Sequence, residues 1–202
     1  MEKIWLINGS PRPPRSNSRL YAHIFEKYCH MPYQYIEINK NNTLELCEQI
    51  KDATEILLIF PLYADSLPVP LLTFLKALAT HLPENRPTIS VLINCGFLEP
   101  RQNDIAVEMI HLFCDQHDFP FGSVLKIGSG EAILQTPFKF LVNRKIKKLA
   151  VSIQRKQNQT FQVTMPLSKK MFIKASDVYW ENYGKKNGAT KQEMQSMQIE
   201  QK

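Results

Sequence analysis

Three short segments of this chain concentrate residue types that bind polar and aromatic ligands. The first runs Asn8-Gly9-Ser10-Pro11-Arg12-Pro13-Pro14-Arg15-Ser16-Asn17-Ser18, where hydroxyls, an amide and two arginines meet the start of a helix. The first turn of a helix offers backbone N–H groups without helical acceptors and a partial positive charge, which suits a phosphate. Ser and Asn side chains add hydrogen bonds while taking little room. Ser16 or Ser18 also fits the helix N-cap, but capping accounts for one hydroxyl and not for the cluster. The segment lacks G-x-x-x-x-G-K-[ST] and G-x-G-x-x-G, so it is neither a nucleoside-triphosphate loop nor a dinucleotide fingerprint. It contains no cysteine, which removes a thiolate-phosphatase reading.

The second segment is Phe60-Pro61-Leu62-Tyr63-Ala64-Asp65-Ser66-Leu67-Pro68. An aromatic beside a proline-fixed backbone suits a flat heteroaromatic ring, with Tyr63 stacking on it or bordering it. The N–H groups of Leu62 to Ala64 are expected to face ring nitrogens, while an ordinary strand-to-helix loop is the plainer alternative. The third is Asn94-Cys95-Gly96-Phe97-Leu98-Glu99, in which Gly96 permits close backbone approach or a positive φ. Asp65 and Glu99 suit surface or capping roles better than catalysis. The five histidines (His23, His30, His81, His111, His117) fall on or beside expected helices, away from all three segments. Cys29, Cys47, Cys95 and Cys114 form no C-x-x-C pair and match no zinc or iron–sulfur spacing, so neither a metal nor a disulfide framework is expected.

The elements that must position these loops follow from hydrophobic period. Lys3–Asn8, Tyr33–Ile38, Glu55–Phe60, Thr88–Asn94 and Ser123–Ile127 read as strands, and helical spacing marks 18–28, 44–51, 70–80, 104–116 and 138–154. Pro61 ends one strand, and Pro70 suits a helix first turn. Strict alternation implies an α/β fold with a parallel sheet and helices on both faces. Five such strands suit the flavodoxin-like order 2-1-3-4-5, where ligands bind beyond the carboxyl ends of the strands beside the switch in order. The loops after the first, third and fourth strands lie there. Gln154–Thr160 reads as a polar linker, Lys169–Tyr183 as a further helix, and the last dozen residues as a frayed polar end. The expected organisation is a domain over 1–155 and a helical extension over 156–202, either part of that domain or a dimer arm.

The chain has 202 residues, 44% hydrophobic and a formal charge of +6, which bounds it to one good-sized core. No secretory leader and no apolar run long enough for a bilayer stand out, so a cytoplasmic, soluble protein is expected. Residues from Thr136 onward carry 14 Lys+Arg against 4 Asp+Glu, and the first 135 carry 11 against 15. The basic residues of 138–154 are interleaved with Phe138, Leu141, Val142, Ile146 and Leu149, as in an amphipathic helix with a solvated lysine face, which argues against nucleic acid.

Ile7-Asn8-Gly9-Ser10-Pro11-Arg12 followed by Ser16-Asn17-Ser18 resembles the G-S-P-R…S-N-[ST] phosphate loop of the NAD(P)H-dependent FMN reductase family. The resemblance continues through Phe60-Pro61-Leu62-Tyr63 and, more loosely, Asn94-Cys95-Gly96-Phe97 and Gly128-Ser129-Gly130-Glu131, covering about the first 135 residues. It implies that Ser10, Arg12, Ser16, Asn17 and Ser18 hold an FMN phosphate. It further implies that Pro61, Leu62, Tyr63 and Ala64 meet the isoalloxazine, and that Asn94, Gly96 and Phe97 meet its other edge. The fourth-strand loop departs from the family in lacking a Gly-Gly pair, and the cysteine cluster of iron–sulfur relatives is absent.

The function so implied is hydride transfer from NADPH or NADH through FMN to a small acceptor, either a quinone, a free flavin, an azo or a nitro compound. The cofactor carries that chemistry, so no protein acid–base dyad is expected. Arg12, Arg15 and Arg101 favour NADPH slightly. Two alternatives stand beside it. An electron-carrying flavodoxin is disfavoured by the basic charge, and a flavodoxin-like binding or regulatory module would use the basic C-terminal third for an anionic partner. Phe172, Val178, Tyr179 and Trp180 suggest a face that packs on a second subunit, giving a homodimer.

Overall fold

A computed structural model describes residues 2–12, 15–39 and 41–196. The chain divides into two compact units, one ending at Met165 and one beginning at Pro166. The first holds six strands: β1 (Ile4–Asn8), β2 (Tyr33–Glu37), β3 (Glu55–Pro61), β4 (Thr88–Asn94), β5 (Phe121–Ile127) and β6 (Thr160–Val163). All neighbours are parallel, in the order β2-β1-β3-β4-β5-β6. Its helices are α1 (Asn17–Glu26), α2 (Thr43–Gln49), α3 (Val69–Thr80), α4 (Asp104–Gln116) and α5 (Lys139–Gln154).

The sheet therefore has one strand more than the five expected. Thr160–Val163 is only four residues with one buried position, too short for a period to register. It becomes a strand because the open edge of β5 supplies its partners, Thr160 opposite Val124 through Val163 opposite Ile127. The stretch read as a linker thus crosses back to the sheet, and β6 lies beyond the expected domain limit at 155. The central strands explain why the alternation is continuous hydrophobic rather than two-faced. Ile56 to Phe60 and Ile89 to Ile93 are buried throughout, as parallel strands covered on both faces must be.

Register sorts the side chains. Trp5 lies opposite Ile56, and Ile7, Leu58, Val91 and Val124 form one row across β1, β3, β4 and β5, on the face shared with Leu46, Phe74, Leu78 and Ile110 of α2, α3 and α4. The other face takes Leu6, Leu57, Ile59, Leu92 and Leu125, over which α1 and α5 pack. Each fully buried Leu, Ile or Phe contributes about 1.5–3 kcal/mol relative to exposure. Every helix–strand crossover returns to the same end of a parallel sheet, so the loops after β1, β3 and β4 share the carboxyl edge.

The second unit contains α6 (Lys169–Lys186) and α7 (Lys191–Gln195). Ser168 caps α6 through Met171 N–H, and Thr190 with Glu193 forms a complete capping box on α7. α7 falls where a frayed end was expected, because the T-x-x-E box supplies the donors' partners locally. Residues 197–202 of that expectation, and Pro13 and Pro14 of the first loop, lie outside the described residues. None of the helices among the described residues is long and apolar enough to cross a membrane.

Candidate functional site

β1 ends at Asn8, whose buried side chain organises the first loop. Its Oδ1 accepts from Ser10 N–H at 2.9 Å, and its Nδ2 donates to Tyr35 Oη at 3.0 Å and to Ser16 Oγ at 3.4 Å. Ser16 is the N-cap, its Oγ accepting from Arg19 N–H at 3.2 Å, which decides between the two capping candidates. Ser10 Oγ accepts from Arg12 N–H at 3.3 Å. Tyr35 donates to Glu37 Oε1 at 2.8 Å, which also accepts from Arg19. Burial holds the Tyr35 hydroxyl above the usual phenol range, so it stays a donor.

The α1 N-terminus is tied to the loop after β5. Asn17 Nδ2 donates to Gly130 O at 3.0 Å and to Glu131 O at 3.3 Å, and Tyr21 Oη donates to Gly130 O at 2.9 Å. Gly130 packs so closely on β4 that a Cβ there would stand 2.8 Å from Asn94 Cβ. Ser129 is buried with φ 54°, its hydroxyl bonded to Thr164. Asn94 itself donates from Nδ2 to Phe60 O at 3.2 Å and accepts from Leu62 N–H at 2.7 Å.

These ties bring the loops together around a cavity of about 220 Å³ lined by Ser10, Pro11, Arg12, Arg15, Ser16, Asn17, Ser18, Pro61, Leu62, Tyr63, Asn94 and Glu131. Nine of the residues that the resemblance named meet there, from two loops and the end of β4. Three do not line it. Ala64 is exposed at the tip of a two-residue turn in which Tyr63 and Ser66 exchange both backbone hydrogen bonds at 3.0 Å. Gly96 is exposed without positive φ and has no atom within 4 Å of where a Cβ would stand, so neither expected reason for glycine holds. Phe97 is half exposed, and its carbonyl takes Ser129 N–H. Arg101 also lies outside the lining.

Two of the three backbone donors expected for a ring are already committed, Leu62 N–H to Asn94 O and Tyr63 N–H to Ser66 O. Pro11 and Glu131 are lining residues that the sequence left without a role, and Arg15, read there only as a partner for NADPH, lines the cavity beside them. Arg15 was visible within the first segment. Glu131 was visible only as the end of Gly128-Ser129-Gly130-Glu131, and its proximity follows from the Asn17 tie. None of the five histidines lines the cavity.

The donor set fits a phosphate monoester. Ser18 is 1% exposed, lines the cavity, and its Oγ has no hydrogen-bond partner among the described residues. A buried hydroxyl without a partner costs about 1–3 kcal/mol, which an oxyanion acceptor would recover. Around it stand the Ser10 hydroxyl, the N–H groups of Asn17 and Ser18 in the first turn of α1, and the two arginines, while the Arg19 and Leu20 N–H groups are held by Ser16. Glu131 is the one carboxylate on the lining.

No protein-family model matches the sequence, and no curated protein is similar to it by sequence. Solved structures are similar to it in fold. A flavodoxin of Streptococcus pneumonia TIGR4 superposes with a TM-score of 0.56 at 12% identity, covering 76% of this chain and 99% of its own. An FMN-dependent NADH-azoreductase from Bacillus anthracis, solved with FMN, gives 0.55 at 12% identity over 76% and 99%. An NADPH-quinone reductase from P. pentosaceus gives 0.56 at 13% identity over 74% and 98%. At these identities the likeness shows the fold, and the chain has the flavodoxin-like fold.

Proposed function

We propose that this chain is a cytoplasmic FMN-dependent NAD(P)H oxidoreductase whose site is the cavity between Ser10–Ser18, Pro61–Tyr63 and Asn94. The observation that carries the reading is the buried Ser18 hydroxyl, without a hydrogen-bond partner among the described residues, in a cavity that also receives the α1 N-terminus, Arg12 and Arg15. That end binds the phosphate, with Asn8 and Tyr35 holding Ser16 and the loop in place. Pro61, Leu62 and Tyr63 form the apolar, aromatic border at which a flat ring lies, and Tyr63, half exposed, is available to stack. The chemistry that FMN supplies when bound is acceptance of hydride from NADPH or NADH and its transfer to a small acceptor such as a quinone, a free flavin, an azo or a nitro compound.

The resemblance of the first loop to the FMN reductase family and the fold shared with FMN-binding reductases support this reading. Arg12 and Arg15 favour NADPH over NADH, although both also serve the phosphate end. The unit ending at Met165 carries the whole site. A visible absorbance scan of the purified protein with FMN, then NADPH and, separately, NADH, tests it. Flavin bands that bleach with NADPH and return in air are expected. Flavin that binds but stays oxidised with either nucleotide would instead assign an electron carrier. Failure to bind flavin would sink the assignment.

A further inference from the structure

α6 is built unlike the helices of the first unit. Of its 18 residues only Gly184 is buried. Its sequence, KKMFIKASDVYWENYGKK, has a lysine pair at each end. Phe172, Ile173, Ser176, Tyr179, Trp180 and Tyr183 recur at spacings of three and four, which places them on one arc of the helix. Lys170, Lys174, Asp177, Glu181 and Lys185 recur at the same spacing on the opposite arc, which also carries the exposed Met171 and Val178. Tyr179, Trp180 and Tyr183 form one aromatic group, with ring centroids 5.2 Å and 5.8 Å apart at near-perpendicular angles. Ile173, Trp180 and Tyr183 are each about half exposed.

An aromatic arc in water needs a cover, and the charge pattern says which. From Ala132 to Ser176 the chain has ten Lys+Arg and no Asp or Glu, and residues 166–196 carry six lysines against Asp177, Glu181 and Glu193. A second copy pairing α6 with α6 in register, parallel or antiparallel, brings lysine pairs opposite lysine pairs, which repel. A nucleic acid would need cations among its stacking aromatics, but Lys169 and Lys186 border that arc only at its two ends, and Lys170, Lys174 and Lys185 lie on the far arc. A helix lying in a lipid headgroup layer has this arrangement. Its aromatic side enters the boundary, its charged side faces water, and end lysines extend along apolar stems to the headgroups.

We propose that α6 is an interfacial helix that docks this protein on an anionic lipid surface, with Phe172, Ile173, Trp180 and Tyr183 entering the headgroup boundary and the terminal lysine pairs contacting lipid phosphates. This inference is independent of flavin binding.

Trp180 makes the test direct, because the only other tryptophan, Trp5, is buried at 3% exposure against 47% for Trp180. The full-length protein is mixed with vesicles of phosphatidylcholine alone, or of phosphatidylcholine with an equal part of phosphatidylglycerol. Sedimentation and tryptophan emission are then read. Co-sedimentation with the anionic vesicles only, a blue shift of emission, and release by high salt are expected. Each Lys→Gln change among Lys169, Lys170, Lys185 and Lys186 lowers partitioning on the order of fivefold. Trp180→Phe removes the shift while sedimentation persists, and its remaining Trp5 emission reports that the first unit is folded. Three results would overturn the proposal. They are no sedimentation with either vesicle, equal binding to both, or a blue shift without vesicles that grows with protein concentration as the mass doubles. The last would assign the face to a second copy.

Discussion

The side-chain amide of Asn17 donates to the carbonyl oxygen of Gly130 at 3.0 Å, joining residues 113 positions apart. Through that bond, the N-terminus of α1 is held against the loop that covers the end of β4. Tyr21 Oη reaches the same oxygen at 2.9 Å, so the carbonyl is doubly bound. The backbone at 130 is therefore a fixed point of the site.

Gly130→Ala tests this. The added Cβ would lie 2.8 Å from Asn94 Cβ and 3.2 Å from Cys95 O, neither of which is the far end of a flexible chain. Overpacking of this kind costs about 1–3 kcal/mol, and FMN affinity falls with it because Asn17 and Asn94 both shift. Gly96→Ala, with open space around it, changes stability by less than about 0.5 kcal/mol. Urea unfolding and flavin titration of the two variants make the comparison. Equal effects at both positions would contradict it.

Ser18→Ala separates phosphate recognition from folding. Removing a buried hydroxyl that lacks a partner among the described residues leaves the stability of the flavin-free protein unchanged or slightly raised. Affinity for FMN falls by about 1–2 kcal/mol, while affinity for riboflavin, which has no phosphate, stays the same. Parallel fluorescence titrations with the two flavins measure this. An equal loss for both would remove the phosphate from that end of the cavity.

Glu55, the first residue of β3, lies far from the carboxyl edge. It is 3% exposed in a second cavity, of about 220 Å³, whose lining includes Thr88, Ser90, Ile153 and Lys156. Burial pushes its carboxyl up to about 7 from 4.5, and the pull of Lys156 and a hydrogen bond from Thr88 only partly oppose that. A raised value means the fold favours the neutral acid. Stability from this group is thus complete below about 4.5 and is lost as pH rises through about 7, on the order of 3 kcal/mol at most. Glu55→Gln removes that slope and is the more stable form at pH 8. Thermal midpoints of both proteins between pH 5 and 8 decide it, and parallel curves would refute it.

Ala64 and Asp65 hold φ values of 48° and 56° in the Tyr63–Ser66 turn, the geometry of a type I′ hairpin, which favours Gly or Asn. Ala64→Gly relieves the crowding of a Cβ in the left-handed region. It is expected to stabilise by about 0.5–1 kcal/mol after the added unfolded-state entropy of glycine is counted. Calorimetry measures the gain. A loss of stability together with a loss of flavin affinity would show that the strained turn serves the ring border.

The alternation of strands and helices was legible in the residues because period and punctuation are local. Three- and four-residue spacing in 104–116, apolar runs in β3 and β4, and Pro61 and Pro70 at element ends each act within one turn or a few residues. The Ser10–Ser18 segment was legible for the same reason, since a helix N-terminus and its donors are contiguous. Strand β6 was not, because four residues become a strand only when β5 presents an open edge. The α7 capping box was written in Thr190 and Glu193, but a single turn is too short for a hydrophobic period to show it.

Residue order along the chain is thus enough to say which loops share the carboxyl edge and which of their side chains can donate to a phosphate. Which of those side chains meet follows from packing and register. Parallel register sets Asn94 beside Pro61, the Asn17–Gly130 bond brings Glu131 into the cavity, and the outward turn of Ala64, Gly96 and Phe97 leaves them off its lining. The same holds for Glu55, an ordinary charged residue in the sequence that becomes a neutral-leaning acid only under Thr88, Ser90 and Ile153. These outcomes depend on groups that are distant in the chain and adjacent in space, and desolvation and close packing exist only once both sides have been brought together.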